Sequence, residues 1–263
     1  MSVIAVAAAK SSPGVSTVAE LVAQLHPGDR RCVLLDCDPA GGDWLLRPGA
    51  SREPGLVSLA TSGRRGLGGA EVLSHLQRLG DGLEVMVGPV AGRQAWTALE
   101  LVADHLVSHL RQIDGLDAVI DCGGLSPASP VLSVAGGADL VVLVGRPTAR
   151  AVVHLAPWVD QLSQAAPVVV ALVDGPRSRH EPAYRPEEVA EGLGVEVVGT
   201  IAHDPPTVAR IWSDPGLLSR VKDSPLVASA ASVAEAVFAR AGLGSSGEWV
   251  PAWAGARTKG GSR

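Results

Sequence analysis

The sequence predicts an α/β fold with three layers, in which helices cover both faces of a mostly parallel β-sheet. Short apolar runs rich in Val, Ile and Leu alternate along the chain with amphipathic helical segments, and this alternation requires a parallel sheet that is buried on both faces. Apolar residues make up 46% of the 263 residues. This is enough material for the core of one large domain.

Composition narrows the classes of function. The formal net charge of −5 argues against a protein whose whole surface grips nucleic acid, so nucleic acid is not an expected partner. No apolar run reaches the roughly 18 residues that a membrane span needs, and no basic segment of a signal peptide precedes the first apolar run. Three cysteines without metal-ligand spacing (Cys32, Cys37 and Cys122) favour a reducing compartment. We therefore expect a cytoplasmic protein with at most peripheral membrane contact through a partner.

The elements of the first half follow from periodicity and from turn residues. An apolar run begins at Val3 and forms the first strand, and a helix follows over residues 16–25. The next expected elements are a strand (31–36), two short helices (55–60 and 70–79), a strand (83–88) and a long helix (94–112). The apolar residues of the long helix recur at spacings of three and four, as an amphipathic helix requires.

The second half continues the alternation. The expected strands cover residues 117–121, 138–144, 168–173 and 196–201, and the expected helices cover residues 129–135, 148–163, 186–194, 207–212 and 229–241. From residue 242 the chain is rich in Gly and Ser and weakly patterned. We therefore expect one domain over residues 1–241 and a flexible tail over residues 242–263.

The turn after the first strand combines the features of a phosphate-binding loop. Small residues, Pro13 and Gly14 separate a buried strand from a helix N-terminus, where backbone N–H groups and the helix dipole attract phosphate. Gly14 and Ser16 fit the P-loop pattern G-x-x-x-x-G-K-[ST]. Val15, however, stands where the phosphate-binding lysine belongs, and a lysine occurs five residues earlier, at Lys10.

Acidic residues end two of the predicted strands. Asp36 and Asp38 end the strand over 31–36, and Asp121 ends the strand over 117–121. In an open α/β sheet, the carboxyl ends of the strands line the crevice where ligands bind. A short apolar strand that ends on an acid is typical of a Walker B strand, whose carboxylate serves a bound metal. Taken alone, the acids at 36–38 also fit a solvated turn.

Four segments, in this order and spacing, resemble the deviant Walker A ATPases that include MinD and ParA. In that family the loop reads K-G-G-x-G-K-[ST], the second strand ends in D-x-D, the Walker B strand ends in Asp before small residues, and the last strand runs into G-x-I-P-x-D. The matching segments are residues 10–16, 36–42, 121–124 and 199–205, and the similarity spans about residues 1–241. The resemblance implies a P-loop NTPase fold of the MinD/ParA type.

The resemblance also implies ATP and Mg²⁺ as cofactors. Lys10 would be the signature lysine, which reaches the nucleotide of a partner subunit in a face-to-face homodimer, and Asp38 would orient the attacking water. The other residues with implied roles cradle the phosphates (Ser11, Ser12, Pro13, Gly14, Val15, Ser16 and Thr17), serve the metal (Ser16, Asp36 and Asp121) or lie where adenine would sit (Asp174, Asp204 and Pro205).

The departures from the family pattern bear on catalysis. The missing lysine would place a positive charge between the β- and γ-phosphates, and loss of one such preorganised group costs about 10²–10³ in rate. Ser11 and Ser12 replace glycines, which reach the required backbone angles more easily. We therefore expect that ATP binds while hydrolysis is slow or absent, and whether the chain is an ATPase stays open.

Three functions remain as alternatives. The first is a switch that dimerises with ATP and positions or recruits a pilus, secretion, division or partitioning assembly through an unidentified protein partner. Its degenerate loop is more similar to the CpaE/TadZ-like subgroup than to the DNA-partitioning members. The second is a scaffold of the same fold that binds no nucleotide. The third is a biosynthetic enzyme on this fold, which no nucleophilic cysteine motif supports.

Overall fold

The chain is seen in a computed structural model that describes residues 1–10, 13–62, 68–80, 82–175 and 183–242. Its strands are β1 (Val3–Ala8), β2 (Arg31–Asp36), β3 (Gln77–Leu79), β4 (Leu83–Met86), β5 (Leu116–Gly124), β6 (Leu140–Gly145), β7 (Val168–Val173) and β8 (Val197–Ile201). They form an eight-stranded sheet in the order β3-β4-β2-β5-β1-β6-β7-β8. Neighbouring strands are parallel except at the β3–β4 edge, which is antiparallel.

Helices cover both faces of this sheet, so the predicted three-layer architecture is confirmed. The helices are α1 (Val15–Gln24), α2 (Leu56–Ser62), α3 (Gly69–Ser74), α4 (Gly92–Leu110), α5 (Val131–Gly137), α6 (Ala149–Leu162), α7 (Pro186–Leu193), α8 (Pro205–Ser213) and α9 (Pro225–Arg240). Short 3₁₀ segments cover Trp44–Leu46 and Pro215–Arg220. Helices α1, α8 and α9 pack on one face, and α2 to α7 pack on the other.

Strand β1 lies at the centre of the sheet and is buried on both faces. Alternate side chains of a strand point to opposite faces, so Val3 joins the core under α4 while Ile4 joins the core under α1. Every residue of β1 is buried. The loop that follows β1 is therefore attached to a strand that is buried along its whole length.

The sequence-based boundaries were wrong at one edge of the sheet. The helix expected over residues 70–79 ends at Ser74, and Gln77–Leu79 form β3, which pairs with β4. At the end of α3 the backbone N–H of His75 bonds to Val72 O, and the chain then turns. Pairing with a strand that lies further along the chain decided the structure here, whereas the prediction used local periodicity alone.

Two helices near the end of the chain begin earlier than expected. Helix α8 begins at Pro205 and α9 at Pro225, and in both a side chain accepts a hydrogen bond from the first turn (Asp204 and Ser224). Proline is tolerated there because the N–H groups of the first turn have no partner within the helix.

Within the described parts of the chain, no helix combines the length and apolar character needed to cross a membrane.

A buried carboxylate joins segments at the amino ends of the central strands. Asp117 Oδ1 accepts a hydrogen bond from the Ser2 N–H (2.6 Å), and Asp117 Oδ2 lies 3.0 Å from His26 Nε2 and 3.1 Å from Arg30 Nε. The His26 ring packs edge-on against Phe238. Burial alone would raise the pKa of Asp117, but the hydrogen bonds from His26 and Ser2 and the charge of Arg30 lower it below its ordinary value.

Candidate functional site

The loop between β1 and α1 turns at Gly14. Gly14 has φ +97°, in the left-handed region that favours glycine, and its carbonyl accepts the N–H of Val18 at 2.9 Å. The first turn of α1 contains no acidic residue, so the positive end of the helix dipole is not neutralised by its own side chains. Pro13 is buried and Lys10 is exposed, while Ser11 and Ser12 lie outside the described residues.

Val15, the residue in place of the phosphate-binding lysine, is part of the core. Its side chain is 7% exposed and belongs to the apolar cluster between α1 and the sheet. Ser16 and Thr17, which follow it, are half-buried. The loop therefore offers backbone N–H groups and hydroxyls, but position 15 provides no positive charge.

The predicted acids meet at the carboxyl ends of β2 and β5. Asp36 and Asp121 are directly paired in the register of the two strands, and both are fully buried. Asp36 Oδ2 accepts from the Gly88 N–H (3.2 Å), and Asp121 Oδ1 accepts from the Gly123 N–H (3.1 Å). Asp38 is half-buried, and its Oδ1 accepts from the Ala40 N–H (2.8 Å).

Glycine backbone packs directly against these carboxylates. A Cβ at Gly42 would lie 1.8 Å from Asp36 Oδ2, and a Cβ at Gly123 would lie 2.2 Å from Asp38 Cγ. Any other residue at either position would displace a carboxylate. The small residues that follow the two motif aspartates therefore fix the positions of the acids.

Burial, with a smaller contribution from neighbouring acids, raises the pKa values of these carboxyl groups. Burial is the main cause for Asp121, whose pKa is raised to about 6, and the charge of Asp38 adds to it. For Asp36, burial and then the charge of Asp121 raise the pKa well above its ordinary value. Burial also raises the pKa of Asp38. A cation at this edge would favour the ionised forms of these carboxyl groups and lower their pKa values.

Oxygen atoms suited to Mg²⁺ lie at the same edge. Asp121 Oδ2 is buried and has no hydrogen-bond partner among the described residues. The Ser16 hydroxyl and the Trp44 indole lie near enough to lower the Asp121 pKa in part, although neither makes a hydrogen bond of standard geometry to Oδ2. Carboxylate and hydroxyl oxygens are ligands that Mg²⁺ prefers, and Mg²⁺ usually keeps waters and phosphate oxygens as well. Ser16 and Asp121, with Asp36 beside them, therefore fit Mg²⁺.

Protein side chains alone would not complete the coordination of Mg²⁺ here, and waters and phosphate oxygens would supply the remaining ligands. Within the described ranges, no cluster of three or more His, Cys, Asp or Glu side chains has the arrangement of a metal site. The two buried cysteines, Cys37 and Cys122, are free thiols that pack in the core under α4. They contribute filling volume rather than ligands.

An apolar cavity of about 290 Å³ opens beside the loop. It is bounded on one side by Gly14 and Thr17 and on the other by the turn between β8 and α8. Asp204 and Pro205, expected near adenine, both line this cavity. The Asp204 carboxylate also caps α8 by accepting from the Thr207 N–H (3.2 Å). Asp174 is not among the lining residues, and its Oδ1 instead accepts from the adjacent Gly175 N–H (3.0 Å).

A second cavity, of about 570 Å³, lies over the ends of β1 and β6 and is basic. Lys10, Arg146, Arg150 and His154 line it, and none of its described lining residues is acidic. Lys10 lines this cavity and does not line the apolar one. Pro13 and Arg146 line both, so the two cavities are neighbours.

A buried ion pair behind the loop was missed at the level of sequence. Glu20 of α1 and Arg47 form a salt bridge in which both side chains are fully buried. The Arg47 guanidinium lies between the rings of Trp44 (4.3 Å) and Trp212 (3.7 Å), and Trp212 Nε1 donates to Thr17 Oγ1 at 3.4 Å. A lone acid in the apolar run of α1 was the available signal, but the sequence does not show its partner.

Comparison with solved structures identifies the fold. A ParA family ATPase from Chlorobium tepidum TLS superposes with a TM-score of 0.72 at 17% identity, covering 89% of this chain and 97% of that one. The chain has the ParA/MinD fold. MinD of Pyrococcus horikoshii OT3, solved with Mg-ADP, has a TM-score of 0.71 at 17% identity (92% and 98% covered). The cell division ATPase MinD of Pyrococcus furiosus has a TM-score of 0.69 at 17% identity (90% and 98% covered).

Comparison by sequence adds no closer assignment. No protein-family model matches the chain, and no curated protein matches it. At 17% identity the structural likeness establishes the ParA/MinD fold, and the function has to be argued from the site.

Proposed function

We propose that this chain is a nucleotide switch of the MinD/ParA kind, which binds ATP with Mg²⁺, dimerises in that state and recruits or positions another assembly. The observation that carries the proposal is the meeting of the β1–α1 loop and the Walker B acid. Ser16, in the first turn of α1, lies beside the buried Asp121, whose Oδ2 has no partner among the described residues. A phosphate cradle next to such an oxygen suits a Mg²⁺-bound nucleotide.

Each residue of the site takes a distinct role in this proposal. The backbone N–H groups at the N-terminus of α1 bind phosphate, and Ser16, Asp121 and Asp36 hold Mg²⁺. The metal supplies neutralisation of the charge on the β- and γ-phosphates. Asp38 orients the water that attacks, and the cavity lined by Asp204 and Pro205 takes the adenosine.

Hydrolysis is slow or absent in this proposal because Val15 is apolar and packs in the core. Its side chain is 7% exposed and belongs to the apolar cluster between α1 and the sheet, so position 15 offers no positive charge to the phosphates. The remaining donors can still bind the ground state, whereas the charge that develops between the β- and γ-phosphates goes unmatched. A degenerate loop of this kind agrees with a CpaE/TadZ-like protein that positions pilus or secretion machinery by binding rather than by turnover.

Lys10 is assigned to the homodimer. It is exposed and lines the basic cavity rather than the cavity beside its own loop, so it is free to reach a nucleotide held by a second copy. An ammonium group that binds a phosphate across an interface makes dimerisation depend on the nucleotide.

Sedimentation velocity of the full chain tests the switch. We expect a shift from monomer to dimer when ATP and Mg²⁺ are added, because only the bound nucleotide presents phosphate to Lys10 of the second copy. The variant Lys10→Ala should stay monomeric under the same conditions. Lys222→Ala is the matched control, since it removes an exposed lysine that lines neither cavity, and it should dimerise as the wild type does.

A dimer that forms equally with and without ATP would overturn the switch and support a nucleotide-free scaffold. One observation favours that second candidate. The Thr17 hydroxyl, which belongs to the expected cradle, already accepts a hydrogen bond from Trp212 (3.4 Å). A scaffold would use the Trp212 contact to keep the loop closed, and it would show no heat of binding with ATP.

A further inference from the structure

The cavity beside the β1–α1 loop has a single residue of fixed positive charge. Of its described lining residues, Arg146 is the only Lys or Arg, and His203 and Asp204 are the other ionisable ones. Val15 contributes no charge, and Lys10 lines the neighbouring cavity. Among the described residues that line this cavity, Arg146 is therefore the one side chain that offers a fixed positive charge to a phosphate.

Arg146 is placed there by the strand beside β1. It directly follows β6, which pairs with β1, and it precedes Pro147, which favours extended backbone in the residue before it. Arg146 Nη1 donates to the carbonyl of Asp174 at 3.4 Å. A Cβ at Gly175 would lie 2.0 Å from Nη1, so the guanidinium lies directly against the backbone of residues 174–175.

The charge of Arg146 is not neutralised within the described parts of the chain. Arg146 is half-buried, and none of the ion pairs formed there includes it. By contrast, Arg47 is fully paired with Glu20. A guanidinium has five N–H donors in a planar fork that matches the oxygens of a phosphate, and Arg146 uses one of them in a long hydrogen bond.

We propose that Arg146 binds the phosphates of the nucleotide held in this cavity and supplies, from the end of β6, the positive charge that Val15 does not. The inference rests on the proposed nucleotide binding and adds a residue to it. It explains how a loop without its lysine retains affinity for a polyanion: the cation is provided from the neighbouring strand, and Gly175 gives it space.

Calorimetry of the full chain with ADP and Mg²⁺ tests this role. Arg146→Gln should weaken binding by about tenfold or more, the loss expected when a charged hydrogen bond to phosphate is removed. Arg146→Lys should bind more tightly than Arg146→Gln but less tightly than the wild type, because it keeps the positive charge and loses the planar fork of donors. Arg150→Gln is the matched control, since it removes the same charge from a residue that lines only the basic cavity, and it should bind as the wild type does.

The salt dependence separates a phosphate contact from a structural role. The affinity of the wild type should fall more steeply with added KCl than that of Arg146→Gln, because the variant lacks a charge that salt screens. Equal affinity of Arg146→Gln and the wild type would overturn the inference and leave nucleotide binding intact. Arg146→Lys as weak as Arg146→Gln, with an unchanged salt slope, would also overturn it. A wild type that binds no ADP would overturn both the inference and the proposed function.

Discussion

At the scale of single residues, Val15 is the main departure of the loop from the P-loop pattern. That pattern carries a lysine at this position, and here the side chain fills space between α1 and the sheet. The acids that would serve the metal are nevertheless present and buried at the ends of β2 and β5. The site therefore combines an intact acidic edge with a loop that lacks its charge.

Restoring the lysine should restore turnover. We predict that Val15→Lys raises the rate of ATP hydrolysis by about 10²-fold over the wild type, the value of one preorganised charged group. Steady-state release of inorganic phosphate measures it. Val15→Met is the control, because it has a long side chain without charge. If Val15→Lys folds with an unchanged melting temperature and releases phosphate no faster than Val15→Met, Val15 is not what limits catalysis.

The buried Asp117 makes stability depend on pH. Its pKa is lowered below 3.8 on folding, so the ionised carboxylate stabilises the protein above about pH 4, and that contribution is lost as the pH falls through the lowered pKa. Asp117→Asn should therefore cost about 3 kcal/mol at pH 7, the lower end for breaking a buried ion pair. Urea unfolding of both proteins between pH 3 and pH 7 measures this. If the difference in unfolding free energy between the two proteins does not narrow toward acid pH, the ionised Asp117 carboxylate is not the source of the pH dependence.

Sequence reasoning predicted the meeting of the acids, because it follows from where the strands end. Asp36 and Asp121 each end a predicted strand, and parallel strands place their carboxyl ends at one edge. The placements of Arg146 and Arg47 were not predictable, because they depend on neighbours contributed by distant segments: the backbone of residues 174–175 for Arg146, and Glu20 for Arg47.

At the scale of elements, a stack of two tryptophans and an arginine links three segments behind the loop. Trp44 lies in the 3₁₀ segment after β2, Trp212 lies in α8, and Arg47 between them pairs with Glu20 of α1. Arg47 also donates to the Ile211 carbonyl at 3.2 Å. Helix α1, which follows the loop, is thereby joined to the 3₁₀ segment after β2 and to helix α8.

Removing one member of the buried pair should be more harmful than replacing both. Arg47→Ala leaves the Glu20 carboxylate buried and unpaired, and it should lower the free energy of unfolding by about 3–5 kcal/mol. The double variant Glu20→Leu with Arg47→Met should lose much less, because apolar side chains of similar volume replace the pair. Urea unfolding followed by tryptophan fluorescence measures both. Equal losses of unfolding free energy in the two variants would show that the unpaired Glu20 carboxylate is not the cause of the destabilisation.

The element boundaries show where local patterns suffice. Buried strands such as β1 and β7 were predicted from their apolar runs, since central strands of a parallel sheet are apolar on both faces. The edge strand β3 was missed because its three residues continue a helical pattern, and its pairing with β4 is tertiary. Local propensity gives way to strand pairing at this edge.

At the scale of the whole molecule, topology assembles the site. The chain runs from β1 past β5 to β2 in one direction, and later from β5 past β1 to β6 in the other. Ligands of open α/β sheets bind at such a switch point, outside the carboxyl ends of the strands. The loop, the acids and both cavities all lie there. The alternation of strands and helices was enough to predict this architecture, whereas the strand order and the cavities emerge only from the folded chain.

Calorimetric titration of the full chain with ATP in the presence of Mg²⁺ tests most directly whether the chain binds nucleotide. We expect saturable binding of one ATP per chain, which weakens when Mg²⁺ is removed with a chelator because the buried acids then repel the phosphates. Binding should persist under conditions in which little phosphate is released. Absence of any heat of binding, together with a melting temperature that ATP does not change, would contradict nucleotide binding and leave the chain as a scaffold with the ParA/MinD fold.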